Sequence, residues 1–107
     1  MFKVAQERRF TRTVPIFVPT DEGHEKQSIK ATYRVIADGA MSQLGGTEGQ
    51  KADLRAMIVS LDDMIDDDGN AVAYTPELLE QFADLPFIRV PLLQVYVEAV
   101  TKVKAGN

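Results

Sequence analysis

The chain has 107 residues, enough for one domain and too few for two. Its composition, 45% hydrophobic and 26% charged, is typical of a folded globular protein and excludes wholesale disorder. The absence of cysteine excludes disulfides, thiolate metal sites and a cysteine nucleophile. The net charge of −4 is unevenly spread: residues 1–36 carry seven basic and four acidic side chains, and the remainder carries five and twelve.

Neither a secretion signal nor a membrane span is visible in the sequence. The first ten residues, MFKVAQERRF, lack the apolar region of about 7–15 residues that a signal peptide requires. No stretch approaches the ~20 apolar residues that cross a bilayer. We therefore expect a soluble intracellular protein with no membrane partner.

Two segments near the N-terminus alternate between apolar and polar residues. Residues 10–18 and 28–36 both show this period of two, with β-branched and aromatic side chains on one side, which is typical of strands with one buried face. The polar segment from Pro19 to Lys26 lies between them and has the composition of a loop with turns. The pattern predicts an antiparallel hairpin, with Pro15 placing the first strand at an edge.

A glycine-rich segment and an amphipathic helix follow. Residues 38–50 contain four glycines, which disfavour a stable helix, so we predict a connector with at most a short helical turn at residues 40–44. Apolar residues then recur at helical spacing from Leu54 to Ile65. This spacing predicts a helix that begins near Ala52 and ends at the acidic turn formed by residues 66–70.

Two further helices are predicted in the last third of the chain. Thr75 and Pro76 are typical of a helix start, and Pro86 is expected to end that short helix. The terminal segment, residues 87–104, is apolar around nearly the whole helical circumference, and we place the start of its helix between Phe87 and Pro91. A central core helix, a strand over residues 92–97 and an exposed partner surface are the three interpretations of this segment.

These elements predict an α+β fold. An N-terminal antiparallel β-hairpin or small sheet is followed by a C-terminal bundle of about three helices. The chain is expected to form a single domain, residues 1–107. It divides into a β part (residues 1–37), a glycine-rich connector (38–50) and a helical part (51–107).

No motif in the sequence indicates an enzyme or a metal site. An EF-hand alignment that places Gly69 at the sixth loop position puts Met64 at the first and Thr75 at the twelfth, where carboxylates are required, so the motif fails. The clustered acids lie in one turn, and His24 is in a different loop. We predict no catalytic residue, no cofactor and no metal.

Nucleic-acid binding is also disfavoured. Arg8, Arg9, Phe10 and Arg12 combine basic and aromatic side chains, as nucleic-acid contacts often do. The domain is acidic overall, however, and no recognition motif accompanies these residues.

The order of elements resembles a known family. Its closest part is the acidic segment DDDGNAVAYTPE, residues 66–77, followed by a leucine-rich short helix, a break at Pro86 and an aliphatic terminal helix with Tyr96 and the pair Glu98-Ala99. In this arrangement the chain, roughly from Phe10 to Val100, resembles the tail assembly chaperones of long-tailed bacteriophages and prophages.

The resemblance implies a non-catalytic assembly factor. Such proteins bind the phage tape-measure protein and help recruit tail-tube subunits during tail morphogenesis, in the cytoplasm of the bacterial host and outside the mature virion. The alternative is a structural tail or head–tail joining protein that stays in the particle. The predicted partner-binding residues are Leu93, Tyr96, Val97 and Val100, together with the edge of the hairpin. The same surface is also a candidate contact between like subunits in a homo-oligomer.

Overall fold

The computed structural model describes residues 1–102. It confirms the α+β prediction: a three-stranded antiparallel sheet in the order β1-β2-β3 is combined with three helices. The elements are β1 (Arg9–Thr20), β2 (Gly23–Arg34), a short 3-10 turn (Asp38–Ala40), α1 (Gly46–Met57), β3 (Ile58–Asp62), α2 (Pro76–Ala83) and α3 (Pro86–Thr101). None of the helices in this part of the chain has the length and apolar character needed to span a membrane.

The N-terminal hairpin is longer than the sequence pattern indicates. A continuous ladder runs from Arg9 paired with Arg34 to Thr20 paired with Gly23, so only residues 21 and 22 form the turn. The predicted loop from Pro19 to Lys26 is therefore wrong over most of its length. Gly23 has a φ of 138°, which a residue with a side chain rarely adopts, and this allows the ladder to reach the two-residue turn.

The long amphipathic helix predicted from Ala52 to Ile65 is wrong in its second half. Helix α1 begins earlier, at Gly46 inside the predicted connector, and ends at Met57; β3 follows with no loop between them. Ile58 and Leu61 are buried, but they are buried in a strand that pairs with β2. Ile58 and Val59 are β-branched, which favours a strand. The strand also pairs with the open edge of β2, whose backbone groups would lack partners if the helix continued.

The two C-terminal helices begin at prolines. The Thr75 hydroxyl accepts a hydrogen bond from the Leu78 N–H at 3.1 Å, which confirms the predicted N-cap of α2. Helix α3 begins at Pro86, just before the predicted range, because a proline is well tolerated at a first helical position. Pro91 lies inside α3 without ending it. The end of the predicted helix, at residues 103 and 104, lies outside the described residues.

The core lies between one face of the sheet and the helices. Val14, Ile29 and Leu61 come from the sheet, and Leu54 and Leu92 from α1 and α3; all are almost fully buried. Three aromatic rings, Phe10, Tyr33 and Tyr96, pack together with ring centroids 5.1–6.1 Å apart and join α3 to β1 and β2.

Buried polar groups in this core are paired. The Tyr33 hydroxyl donates to the Leu92 carbonyl at 2.7 Å, and burial raises the pKa of Tyr33 above its ordinary value. Arg89, on α3, donates to the Gln50 side chain at 2.9 Å and to the Ala83 carbonyl at 2.8 Å. Arg89 therefore joins all three helices at one point.

Candidate partner-binding surfaces

Helix α3 has two apolar faces. One packs on the sheet and contains Ile88, Leu92 and Tyr96, which are each less than 10% exposed. The other faces solvent, with Val90 38%, Val97 44% and Val100 40% exposed. The terminal helix therefore supplies core residues on one face and an uncovered apolar surface on the other.

The exposed face has the spacing of a helix-pairing seam. Val90, Leu93, Val97 and Val100 follow one another at intervals of three, four and three residues, the a/d pattern that brings side chains to one line along a helix. We call these four residues the α3 stripe. Leu93 is partly buried and the three valines are exposed. Such a row is typical of a contact with another helix.

The structure corrects one of the predicted contact residues. Tyr96 is 5% exposed, and its hydroxyl accepts a hydrogen bond from the Ile36 N–H at 3.0 Å. Its side chain belongs to the core and is not available at the surface. Val97 and Val100 are exposed as predicted, and Leu93 lies at the border of the stripe. The prediction omitted Val90, although its position seven residues before Val97 places both on the same face of the helix.

Apolar surface continues beside the C-terminal half of the α3 stripe. Val35 is 40% exposed and lines, together with Ile36, Met41 and Val97, a cavity of about 440 Å³. Arg8 and Arg9 line a second cavity of about 410 Å³ that also includes Val35 and Val100. The C-terminal end of the stripe is therefore flanked by cationic side chains from the start of β1.

The outer edge of β1 is blocked at two positions. The Val35 N–H donates to the Arg8 carbonyl at 2.9 Å, so in this antiparallel register the even-numbered residues of β1 direct their backbone groups toward β2. Odd-numbered residues, which include Pro15 and Pro19, direct theirs outward. Neither proline has an N–H to offer, which confirms the edge position predicted from Pro15 and reduces the capacity of this edge to accept another strand.

A groove lies beneath the half of the hairpin that is nearer its turn, which we call the far half. Its volume is about 340 Å³, and it is bounded by the sheet on one side and by residues 63–65 and the α2–α3 corner on the other. Most of its lining is apolar and includes Ile16, Val18, Ile29, Ile65, Phe82 and Phe87. We call this the hairpin groove. No feature of the local sequence signals it, because its walls come from three separate regions of the chain.

The acidic turn next to this groove is a hydrogen-bonded structure. An Asp66 carboxylate oxygen accepts from the N–H groups of Asp68 and Asn70, each at 2.9 Å, and Gly69 adopts a φ of 82°. Within residues 1–102, no group of three or more acidic or histidine side chains is arranged to hold a metal ion. His24 is exposed on β2, not in a loop as predicted.

Two ion pairs tie α1 to the middle and the C-terminal end of α2. Arg55 makes a two-pronged contact with Glu80, with both N···O distances 2.7 Å, and Lys51 lies 2.5 Å from Asp84. The hydrogen bond from Arg55 holds the pKa of Glu80 below its usual range, and that from Lys51 does the same for the pKa of Asp84. These contacts join α1 to α2, and none of the four side chains is in the lining of the hairpin groove or in the α3 stripe.

Comparisons with known proteins add no further information about this site. No family model, no curated protein and no solved structure matches the chain.

Proposed function

We propose that this protein is a non-catalytic tail assembly chaperone that binds the tape-measure protein and helps recruit tail-tube subunits while a phage tail is built. The proposal places it in the host cytoplasm and outside the finished virion. Two arguments support it: the resemblance of residues 10–100 to such chaperones, and the α3 stripe. The second is the observation that carries the proposal.

An uncovered apolar row on an otherwise charged protein is suited to holding a helical client in solution. The α3 stripe offers aliphatic side chains at a/d spacing, to which an amphipathic helix can add its own apolar face. The net charge of −4 opposes self-aggregation of the chaperone and keeps a complex soluble. Arginines near the C-terminal end of the stripe favour a client helix with acidic residues beside its apolar face.

The test is co-expression with the tape-measure protein from the same phage genome, followed by affinity purification. Val97→Glu places a charge in the middle of the stripe, and Gln81→Glu places the same charge on an exposed position of another helix, α2. We expect the unaltered chain and Gln81→Glu to recover a soluble complex. Val97→Glu should weaken the complex at least about tenfold, since a desolvated charge opposes the apolar contact. Its thermal midpoint should stay unchanged, because Val97 is exposed.

Two results would contradict the proposal. If the tape-measure protein remains insoluble with every variant, the stripe is not its binding surface. If the protein instead co-sediments with mature particles, it is a structural tail or head–tail joining protein. In that case Val97→Glu should impair particle assembly or a contact between like subunits rather than client solubility.

A further inference from the structure

The hairpin groove coincides with an unpaired edge of the sheet. The ladder between β2 and β3 runs from Tyr33 to Lys30, where Lys30 is paired with Asp62. At the next residue, Asp63, the backbone turns into the left-handed region with a φ of 62°, and the chain leaves the sheet. Strand β2 nevertheless continues for seven more residues, to Gly23.

The backbone groups of this continuing part face the groove side. The backbone N–H and C=O groups of odd-numbered β2 residues bond to β1, as the bond between Val35 and Arg8 shows. Those of even-numbered residues are therefore directed to the side on which β3 lies. The N–H and C=O groups of Lys26 and Ser28 are therefore directed to a space where β3 is absent. Ser28 itself lines the groove.

The opposite wall keeps this space open and apolar. Asp63, Met64 and Ile65 run past the edge of β2 without joining its ladder, since the small ribbon they begin pairs with its own return, Ile65 with Ala71. Ile65 is 73% exposed, a large value for an isoleucine whose backbone is held by its pairing with Ala71. An added strand would cover Ile65 and place alternate side chains against Ile16, Val18 and Phe82.

The charge around the groove favours a basic ligand. Among the residues that line the groove, Asp63 is acidic and none is basic, and the acidic turn at residues 66–68 follows Asp63 in the chain. Asp63 and the three acids of the turn take part in none of the ion pairs found among residues 1–102. Lys26 and Lys30 project from the opposite face of β2, because they alternate with the groove-facing Ile29.

We propose that the hairpin groove binds an extended segment of a partner protein by strand addition to β2 at residues 24–28, and that this segment has apolar residues at alternate positions and a flanking lysine or arginine. The main-chain hydrogen bonds hold the segment, the apolar floor selects its alternate side chains, and the acidic wall selects the basic flank. This second surface is separate from the α3 stripe and does not depend on the proposed function.

Three synthetic octapeptides test the inference on the full chain labelled with ¹⁵N. One alternates valine and serine with a lysine at each end; the second has glutamate at each end; the third is the lysine peptide with alternate backbone amides methylated. We expect the lysine peptide to shift the amide signals of Gln27, Ser28 and Ile65 and to slow exchange of the Ser28 amide about tenfold or more. The other two peptides should bind at least about tenfold more weakly.

Three protein variants separate strand addition from nonspecific contact. Ser28→Pro removes an outward N–H from β2, and Thr13→Pro removes the matching outward N–H from β1, where no ligand is proposed. We expect the first to abolish binding and the second to retain it. Ile65→Lys adds a positive charge at an exposed position of the wall. It should weaken binding of the lysine peptide at least about tenfold without unfolding the protein. This variant therefore tests the groove even if a proline disturbs the hairpin.

Three outcomes would overturn the inference. The methylated peptide binding as tightly as its parent would exclude main-chain pairing. Changes of amide signals confined to the α3 stripe would show that the peptide binds there and not in the hairpin groove. Concentration-dependent protection of the Ser28 amide without any peptide would show that a second copy of the chain fills the groove.

Discussion

At the scale of single residues, the hydroxyl of Tyr96 has a structural role. It lies in the core, where it satisfies the backbone N–H of Ile36 just after β2 ends, 60 residues earlier in the chain. The ring packs against Phe10 and Tyr33, which also stack on each other. Replacing Tyr96 by a charged residue would therefore unfold the protein rather than test a binding surface.

A milder change isolates the hydrogen bond. Tyr96→Phe keeps the ring and leaves the Ile36 N–H unsatisfied in a partly buried place, so we expect a loss of about 1–2 kcal/mol in the free energy of unfolding. Urea denaturation measures this as a lower midpoint with an unchanged slope. Tyr74→Phe is the matched control, because no hydrogen bond of the Tyr74 hydroxyl is found among residues 1–102, and it should change stability by less than about 0.5 kcal/mol. Equal losses in the two variants would contradict the assignment.

The sequence could not distinguish Tyr96 from its exposed neighbours. Apolar side chains surround nearly the whole of α3, so helical periodicity identifies no single buried face. The structure gives this helix one buried and one exposed apolar face, so the core accounts for only part of its apolar circumference. Which residues belong to which face depends on where β1 packs, and only the tertiary structure supplies that.

At the scale of elements, β3 shows why a correct apolar pattern predicted the wrong structure. The residues from Leu54 to Leu61 fit helical spacing, and α1 does use the first half of them. Ile58 and Leu61 also suit a short strand, since both are buried against β2. Local periodicity is ambiguous over so few residues, and the unpaired edge of β2 decides between the two. The hairpin, the Thr75 cap and the fold class depend on local signals, and these were predicted correctly.

The contact between α1 and α2 predicts a pH-dependent coupling. Arg55 lowers the pKa of Glu80, so their pair stabilises the fold above the ordinary carboxyl pKa, and this contribution is lost as the pH falls through the lowered value. A double-mutant cycle with Arg55→Gln and Glu80→Gln should give a small favourable coupling at pH 7. The coupling should decline as the pH falls below the ordinary carboxyl pKa and disappear once Glu80 is protonated.

Salt gives a second check on the same pair. Both side chains are about half exposed, so ~1 M sodium chloride should screen most of the coupling at pH 7. A coupling that is constant from neutral to acid pH would show that the two side chains interact through packing and not through charge.

At the scale of the whole molecule, the hairpin makes the protein elongated. The described residues extend over 47 × 28 × 26 Å, and their Cα radius of gyration is 14.6 Å. A compact domain of this length is expected at about 13 Å. The excess comes from the far half of the hairpin, beyond the end of β3, where two strands lack a third beside them.

Hydrogen exchange should divide the hairpin into two parts. The amides of Val14 and Val18 both donate across the same ladder, but Val14 is fully buried beneath the helices and Val18 lies above the open groove. We expect Val18 to exchange at least about 100-fold faster than Val14, because local opening of the far half exposes little apolar surface. Similar rates at the two positions would show that the hairpin opens as one unit.

The wall formed by residues 63–65 has a consequence for stoichiometry. A strand added to an open sheet normally presents a fresh edge, and each addition can template the next, which is how sheets grow into fibres. Here the added segment would lie between β2 and this wall, so its far side would meet protein instead of solvent. Pro15 and Pro19 impede growth from the opposite edge. For the strand addition proposed above, this arrangement allows one strand and no further growth, which gives the groove a valence of one.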